Sequence, residues 1–189
     1  MKNLGAAMVG GGGKRRDHDF YPTPVEAVGA LLASGELNGF PAKVWEPACG
    51  DGAIAEALGA NGFRVVSTDL EDHGFADGLA DLDFLTFDRP LAPAIITNPP
   101  FGLAEAFIRK AHALGIEHLA LLLKATYFHT ARRCALFDLW RPSRECKLTW
   151  RLDFTGGGAS TIDCTWFVWS PGDRSCRVEL LRKPTGARS

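Results

Sequence analysis

Val44-Trp45-Glu46-Pro47-Ala48-Cys49-Gly50-Asp51-Gly52, running directly into Ala53 to Gly59, is the stretch that sets the architecture. A short apolar run ends in an acid, two glycines follow, and a helix-forming segment begins at once. This is the strand, turn and helix with which an open α/β sheet binds nucleotides at its carboxyl edge. Gly50 and Gly52 let a ligand approach the backbone, and the N–H groups that open the helix favour a carboxylate or phosphate. The spacing Gly50-x-Gly52-x-x-Ala55 also matches the dinucleotide fingerprint, which alone is a weak signal. Glu46 and Asp51 flank the glycines; two carboxylates there repel a pyrophosphate and suit a ligand that carries an ammonium group.

On either side of that unit, strand and helix patterns alternate. Arg64 to Thr68 reads as a second strand after a turn at Gly62, Asp83 to Phe87 as a third candidate and Ala94 to Thr97 as another. Leu103 to Leu114 reads as a helix, His118 to Lys124 as a fully buried strand, and Ala131 to Leu139 as a helix. Lys147 to Phe154 and Cys164 to Trp169 then form an antiparallel hairpin, with Cys176 to Leu181 as a further strand. The fold class is α/β: a Rossmann-like, mostly parallel sheet with helices on both faces. Upstream, Thr23 caps a helix over Val25 to Ser34 whose first helical residue is Pro24. Residues 1–18, with Gly10 to Gly13 and Lys14-Arg15-Arg16, lack an apolar period and read as a flexible basic arm. Residues 19–189 are then one catalytic domain.

Composition narrows the function classes. Of 189 residues, 46% are hydrophobic and 23% charged, within the range of a soluble globular protein, and no apolar run approaches the ~18 residues of a membrane helix. No secretory signal is visible, so an intracellular, cytoplasmic location is expected. Five cysteines without a C-x-x-C pair argue against a disulfide framework and a zinc site, and the histidines show no ligand spacing; no metal is expected. The net charge of −1 is unevenly spread. Asp69 to Asp88 holds seven acids and no Lys or Arg, whereas Lys124 to Arg151 holds seven bases against Asp138 and Glu145. The basic stretch, Arg132 and Arg133 in particular, can face phosphates, as can Lys14 and Arg15; solvated surface charge explains the same pattern equally well.

Asp69, at the end of the second strand, is placed to accept two ribose hydroxyls. Asp83-Phe84 offers a carboxylate for an adenine amino group and an apolar face for its ring. The sharpest motif is Asn98-Pro99-Pro100-Phe101, after the strand Ile95-Ile96-Thr97. The two prolines make the backbone rigid where a loop would otherwise move. The Asn98 side-chain carbonyl and the Pro99 backbone carbonyl can accept both hydrogens of a planar –NH2, and Phe101 can stack on a flat base. Gly157 and Gly158, in the turn Thr155 to Ser160, allow close approach to a flipped base, and His129 is a candidate for the wall of the same cleft. Trp150, Trp166 and Trp169 read as core.

These motifs resemble those of class I, S-adenosylmethionine-dependent amino-methyltransferases, and the chain is similar to the DNA adenine N6-methyltransferases, above all the small phage or prophage enzymes. The resemblance spans Asp19 to Ser170 in the gamma order of motifs. It implies that Tyr21 and Thr23 line the methionine end of the cofactor and that Glu46, Ala48, Gly50, Asp51 and Gly52 form the glycine-rich motif. Asp69 with Leu70 holds the ribose, Asp83 and Phe84 contact the adenine, and Asn98 to Phe101 is the catalytic tetrapeptide, with Asn98 also touching the cofactor. The family's seven-stranded sheet with a reversed last strand is implied too. A separate target-recognition domain is missing from the pattern. The expected partner is DNA in a bacterial cell or phage-infected host, with RNA or a protein glutamine as alternatives for the same chemistry; monomer and homodimer both fit. Two readings of another class stand beside it: a nicotinamide oxidoreductase using Gly50 to Ala55, and a catalytically silent nucleic-acid-binding protein.

Overall fold

The computed structural model describes residues 21–157 and 162–184. In chain order they form α1 (Val25–Ala33), β1 (Lys43–Glu46), α2 (Ala53–Ala60), β2 (Arg64–Thr68), β3 (Gly78–Leu79), β4 (Ala94–Thr97), α3 (Ala104–Ala113), β5 (His118–Lys124), α4 (Cys134–Leu139), β6 (Arg144–Leu148), β7 (Cys164–Trp169) and β8 (Arg177–Leu181). One sheet of 8 strands results, in the order β3-β2-β1-β4-β5-β7-β6-β8. β7 runs antiparallel to β5 and β6, and the other pairings are parallel.

The sheet separates two apolar cores, and the alternation of side chains along each strand decides which core each residue enters. In β5, Ala120 and Leu122 point to the α1 and α2 side with Val28, Leu31, Ile54 and Leu58. Leu119, Leu121 and Leu123 point to the α3 and α4 side with Phe107, Ile108 and Leu136. Each buried leucine contributes roughly 1.5–3 kcal/mol by leaving water, so an unbroken apolar run belongs at the centre of the sheet. Two core indoles are satisfied, Trp45 Nε1 donating to Thr68 Oγ1 (2.9 Å) and Trp166 Nε1 to the Ala27 carbonyl (3.0 Å), while Trp150 Nε1 is buried with no partner among the described residues.

Four expectations need correction. Asp83 to Phe87 is not a strand: Phe84–Thr86 is a turn of 3-10 helix started by Asp83, whose carboxylate accepts from the Leu85 N–H. The third strand is instead the two-residue β3, too short and too poor in apolar residues to show a period. The first hairpin strand lies earlier than expected, because Arg144 is buried in ion pairs with Glu36 and Asp173, which hides β6 from an apolar count. Beyond Leu148 the pairing continues as the single bridge Leu152 to Ile162. The sheet has eight strands, not seven, and the reversed strand is internal, since β8 adds in parallel to β6 at the edge. Finally, Pro24 occupies the cap of α1, and no side chain caps it.

Chain order reverses between β1 and β4, with β2 on one side and β5 on the other. The carboxyl ends of strands at such a switch point form the crevice in which open α/β sheets bind ligands. Among the described residues no helix is long and apolar enough to cross a membrane.

Candidate active site at the carboxyl ends of β1 and β4

Glu46 closes β1 at 1% exposure, and its Oε2 has no hydrogen-bond partner among the described residues. Burial holds its pKa well above the ordinary carboxylate range, with repulsion from Asp69 and Asp51 adding to the rise and the Ala55 backbone N–H opposing it. Gly50 (φ 54°) and Gly52 (φ 87°) take left-handed conformations that turn the chain tightly into α2. The Gly50 N–H donates to Asp69 Oδ2 at 2.8 Å and the Glu71 N–H to Asp69 Oδ1 at 3.1 Å. Asp69 is thereby oriented, with lone pairs left for a further donor. Cys49 lines the same cleft, but burial and the Glu46 carboxylate push its thiol up to about 12, which removes it as a nucleophile near neutrality.

After β4, Thr97 is fully buried and Asn98 emerges at the cleft. The Asn98 side-chain Nδ2 donates to Thr23 Oγ1 at 3.1 Å, a contact between residues 75 apart in sequence, while Oδ1 is buried without a partner. With the NH2 end of the amide on Thr23, the end left open is an acceptor. Buried polar atoms are nearly always hydrogen-bonded, so two lone acceptors, Asn98 Oδ1 on the cleft lining and Glu46 Oε2, which is buried near Asp51 and Asp69 but is not on that lining, point to a ligand with donors. Phe101 stacks near Tyr21 (centroids 6.3 Å, 24° between planes) and meets Phe154 edge-on at 6.2 Å and 87°.

Tyr21, Thr23, Ala48, Gly50, Asp51, Asp69 and Asn98 to Phe101 line one cleft of about 60 Å³, together with His73. Gly52 lies beneath the ring of Phe75 rather than on the cleft wall. Beyond Phe101 and Tyr21 a second cavity of about 490 Å³ opens towards Lys124, Tyr127, His129 and Arg133. A further cavity of about 480 Å³, lined by residues such as Ile116, Trp140 and Arg174, sits at the opposite end of the sheet, where β5 begins and β7 ends.

Besides Glu46 and Gly52, three further candidates are not on the cleft lining. Phe84 is 2% exposed and packs against Trp45 and Phe107 at centroid distances of 5.1 and 4.7 Å, so its ring has no face to offer a ligand. Asp83 spends a carboxylate oxygen on its 3-10 turn, and Leu70 is 55% exposed to solvent. Of the basic candidates, Arg133 lines the second cavity, while Arg132 projects outward, 3.7 Å from Glu105. Gly157 is on an exposed turn whose preceding residues are pinned by the Asp153 carboxylate. Lys14, Arg15 and Gly158 lie outside the described residues. Lys124, Tyr127 and Phe154 were not singled out from sequence; Phe154 is partly buried against the core on the α1 side.

The sequence matches no protein-family model and no curated protein. Solved structures share the fold. A Pyrococcus horikoshii protein provisionally assigned as an RNA methyltransferase superposes with a TM-score of 0.65 at 17% identity, covering 83% of this chain and 90% of that one. A modification subunit provisionally assigned to a type I restriction enzyme of Vibrio vulnificus gives 0.59 at 15% identity, over 92% of this chain and 49% of its own. The methyltransferase subunit of a type I restriction-modification system from Streptococcus thermophilus gives 0.56 at 15%, over 82% and 46%. This chain spans about half the length of those two subunits. The fold is therefore the Rossmann-like one found in these methyltransferases.

Proposed function

We propose that the chain is an S-adenosylmethionine-dependent methyltransferase that places a methyl group on N6 of adenine in DNA. The observation that carries this reading is the free, buried Asn98 Oδ1, held in place through Thr23 beside the rigid Pro99-Pro100. With the Pro99 carbonyl it can take both hydrogens of a planar amino group, which leaves the nitrogen lone pair projecting out of the amino plane. Phe101 supplies the face on which a flat base lies, with Phe154 edge-on behind it.

The residues on the other side of the tetrapeptide fit the cofactor. Glu46 Oε2 lacks a donor and suits an ammonium group, and the oriented Asp69 suits a pair of ribose hydroxyls. The same buried acid opposes a pyrophosphate, which counts against a nicotinamide cofactor. When bound, the cofactor supplies a methyl group on a cationic sulfur. The chain needs no strong base, because the surplus proton on nitrogen can pass to water. The cleft of about 60 Å³ is smaller than the ~300 Å³ at which ligand sites usually begin, so His73 and Phe75 must yield to a nucleoside. Both sit on the loop around Gly74 (φ 82°).

Incubation with labelled cofactor and unmodified DNA is expected to yield N6-methyladenine; its absence with several DNA sources overturns the proposal. Adenine in RNA is the second reading, supported by the similar length of the Pyrococcus protein, and an RNA arm in the same assay separates the two.

Glu46 gives a sharper test of the cofactor. Its raised pKa means that the unliganded fold loses stability as pH rises from the ordinary carboxylate range through the folded value, and an ammonium group reverses that cost. Binding of S-adenosylhomocysteine should therefore weaken, and release a proton, as pH falls through the folded pKa of Glu46. Glu46→Gln should weaken binding by about 10- to 100-fold, the worth of one charge-assisted hydrogen bond, and abolish the proton release. Calorimetry in buffers of different ionisation heat reads both; unchanged affinity and proton release in the variant remove Glu46 from the site.

A further inference from the structure

Charge changes sign across the tetrapeptide. On the cofactor side the cleft wall holds Asp51 and Asp69, with Glu46 buried close by. On the other side, the described residues lining the 490 Å³ cavity include Lys124, Arg133 and His129 and no carboxylate. Arg133 helps to shape that wall: its guanidinium lies 4.0 Å from the Tyr127 ring centroid and donates to the Tyr127 carbonyl at 2.6 Å, and its Nε is buried with no partner among the described residues. Lys124 is different. It ends β5, is exposed, and its Nζ stands 5.2 Å from the centroid of Phe101, the ring on which the target base is to lie.

We propose that this cavity takes the phosphodiester flank of the target nucleotide, and that Lys124 is a positioning residue that gives up the Phe101 ring to the incoming base and closes on the neighbouring phosphate. The inference rests on the reading of the preceding subsection and adds the place of the backbone. Stacking of a base on an aromatic ring outweighs a cation held over the same ring in water, so the base takes the face. Among the described lining residues the displaced ammonium then has no carboxylate to pair with, and a phosphate is the counter-charge that a polynucleotide brings with its base. A glutamine side chain in a protein brings no such charge, and for it the cation has no use.

The test compares the wild type, Lys124→Met and Lys124→Arg. Binding of a fluorescent, adenine-containing single strand is followed by anisotropy across a salt series with S-adenosylhomocysteine present, and S-adenosylhomocysteine binding alone is followed by calorimetry. The Met variant should bind S-adenosylhomocysteine normally while the slope of log K against log salt falls by about 0.7, the share of one phosphate contact on a single strand. Arginine should restore the slope. In turnover, KM should rise with kcat little changed. If the Met variant loses S-adenosylhomocysteine binding, Lys124→Gln replaces it in the same comparison. An unchanged slope in a variant that still binds S-adenosylhomocysteine overturns the inference and leaves the methyltransferase reading intact. A wild type that binds S-adenosylhomocysteine but no oligonucleotide overturns it too, and moves the substrate to an amide. A wild type that binds neither removes the underlying reading and the inference together.

Discussion

Asn98→Ala is expected to lose methyl transfer by about 10²- to 10³-fold in kcat, the range seen when one preorganised hydrogen-bonding group is removed from a reacting centre, while S-adenosylhomocysteine binding stays within a few fold. The separation follows from the geometry. In the proposed site Asn98 Oδ1 is the lone acceptor for the amino group, whereas the groups proposed to hold the cofactor, Glu46 and Asp69, are contacted by the backbone of Ala55, Gly50 and Glu71 and not by Asn98. Asn98→Asp offers a second reading of the same atom. It keeps an acceptor but removes the donor to Thr23, and it sets a charge beside Glu46 and Asp69. A partial loss with Asp and a large one with Ala identifies the carbonyl oxygen as the acting group. Thr23→Val tests the anchor: the amide is freed to turn its NH2 inward, and kcat should fall without removal of any atom that touches the substrate. Full activity of Asn98→Ala in a single-turnover assay removes the catalytic assignment.

The parts of this site that were legible in the sequence are those in which one short segment both forms its element and presents its chemistry. Glu46 to Gly52 and Asn98 to Phe101 each end a strand and turn at once, so glycines, prolines and acids at fixed offsets report their own surroundings. The apolar runs Ala94–Thr97, His118–Lys124 and Cys164–Trp169 announced strands with correct bounds because every residue in them, the first and last of β5 excepted, is buried. Several of the failures come from contact between distant segments. Thr23 has the composition of a helix cap and is drawn instead to Asn98 across the fold. Phe84 follows an acid after a strand-like pattern, yet Trp45 and Phe107 bury it. Arg144 reads as surface until Glu36 and Asp173 are seen around it. Lys124 belongs by sequence to a diffuse basic stretch, and only the packing of β5 beside β4 brings its ammonium to Phe101.

Gly52→Ala is expected to destabilise the protein by about 2–5 kcal/mol, although it adds a single methyl group. Two costs combine. The residue sits at φ 87°, where a side chain costs roughly 1–2 kcal/mol. In addition, the Phe75 ring occupies the space a Cβ would take, and overpacking of that kind costs roughly 1–3 kcal/mol. For a domain of this size each kcal/mol lowers Tm by about 2–4 °C, so a loss on the order of 10 °C is expected in a thermal melt. Gly59→Ala is the matched control within the same helix. Its φ is not left-handed and nothing lies within 4 Å of an added Cβ, so the substitution should stabilise by about 0.5–1 kcal/mol through helix propensity. The two costs at Gly52 can be parted by removing the ring. Phe75→Ala combined with Gly52→Ala should recover the overpacking share relative to the sum of the single variants and leave the backbone share, a coupling that a double-mutant cycle measures directly. If the two substitutions add without coupling, Phe75 is not held over Gly52 in solution.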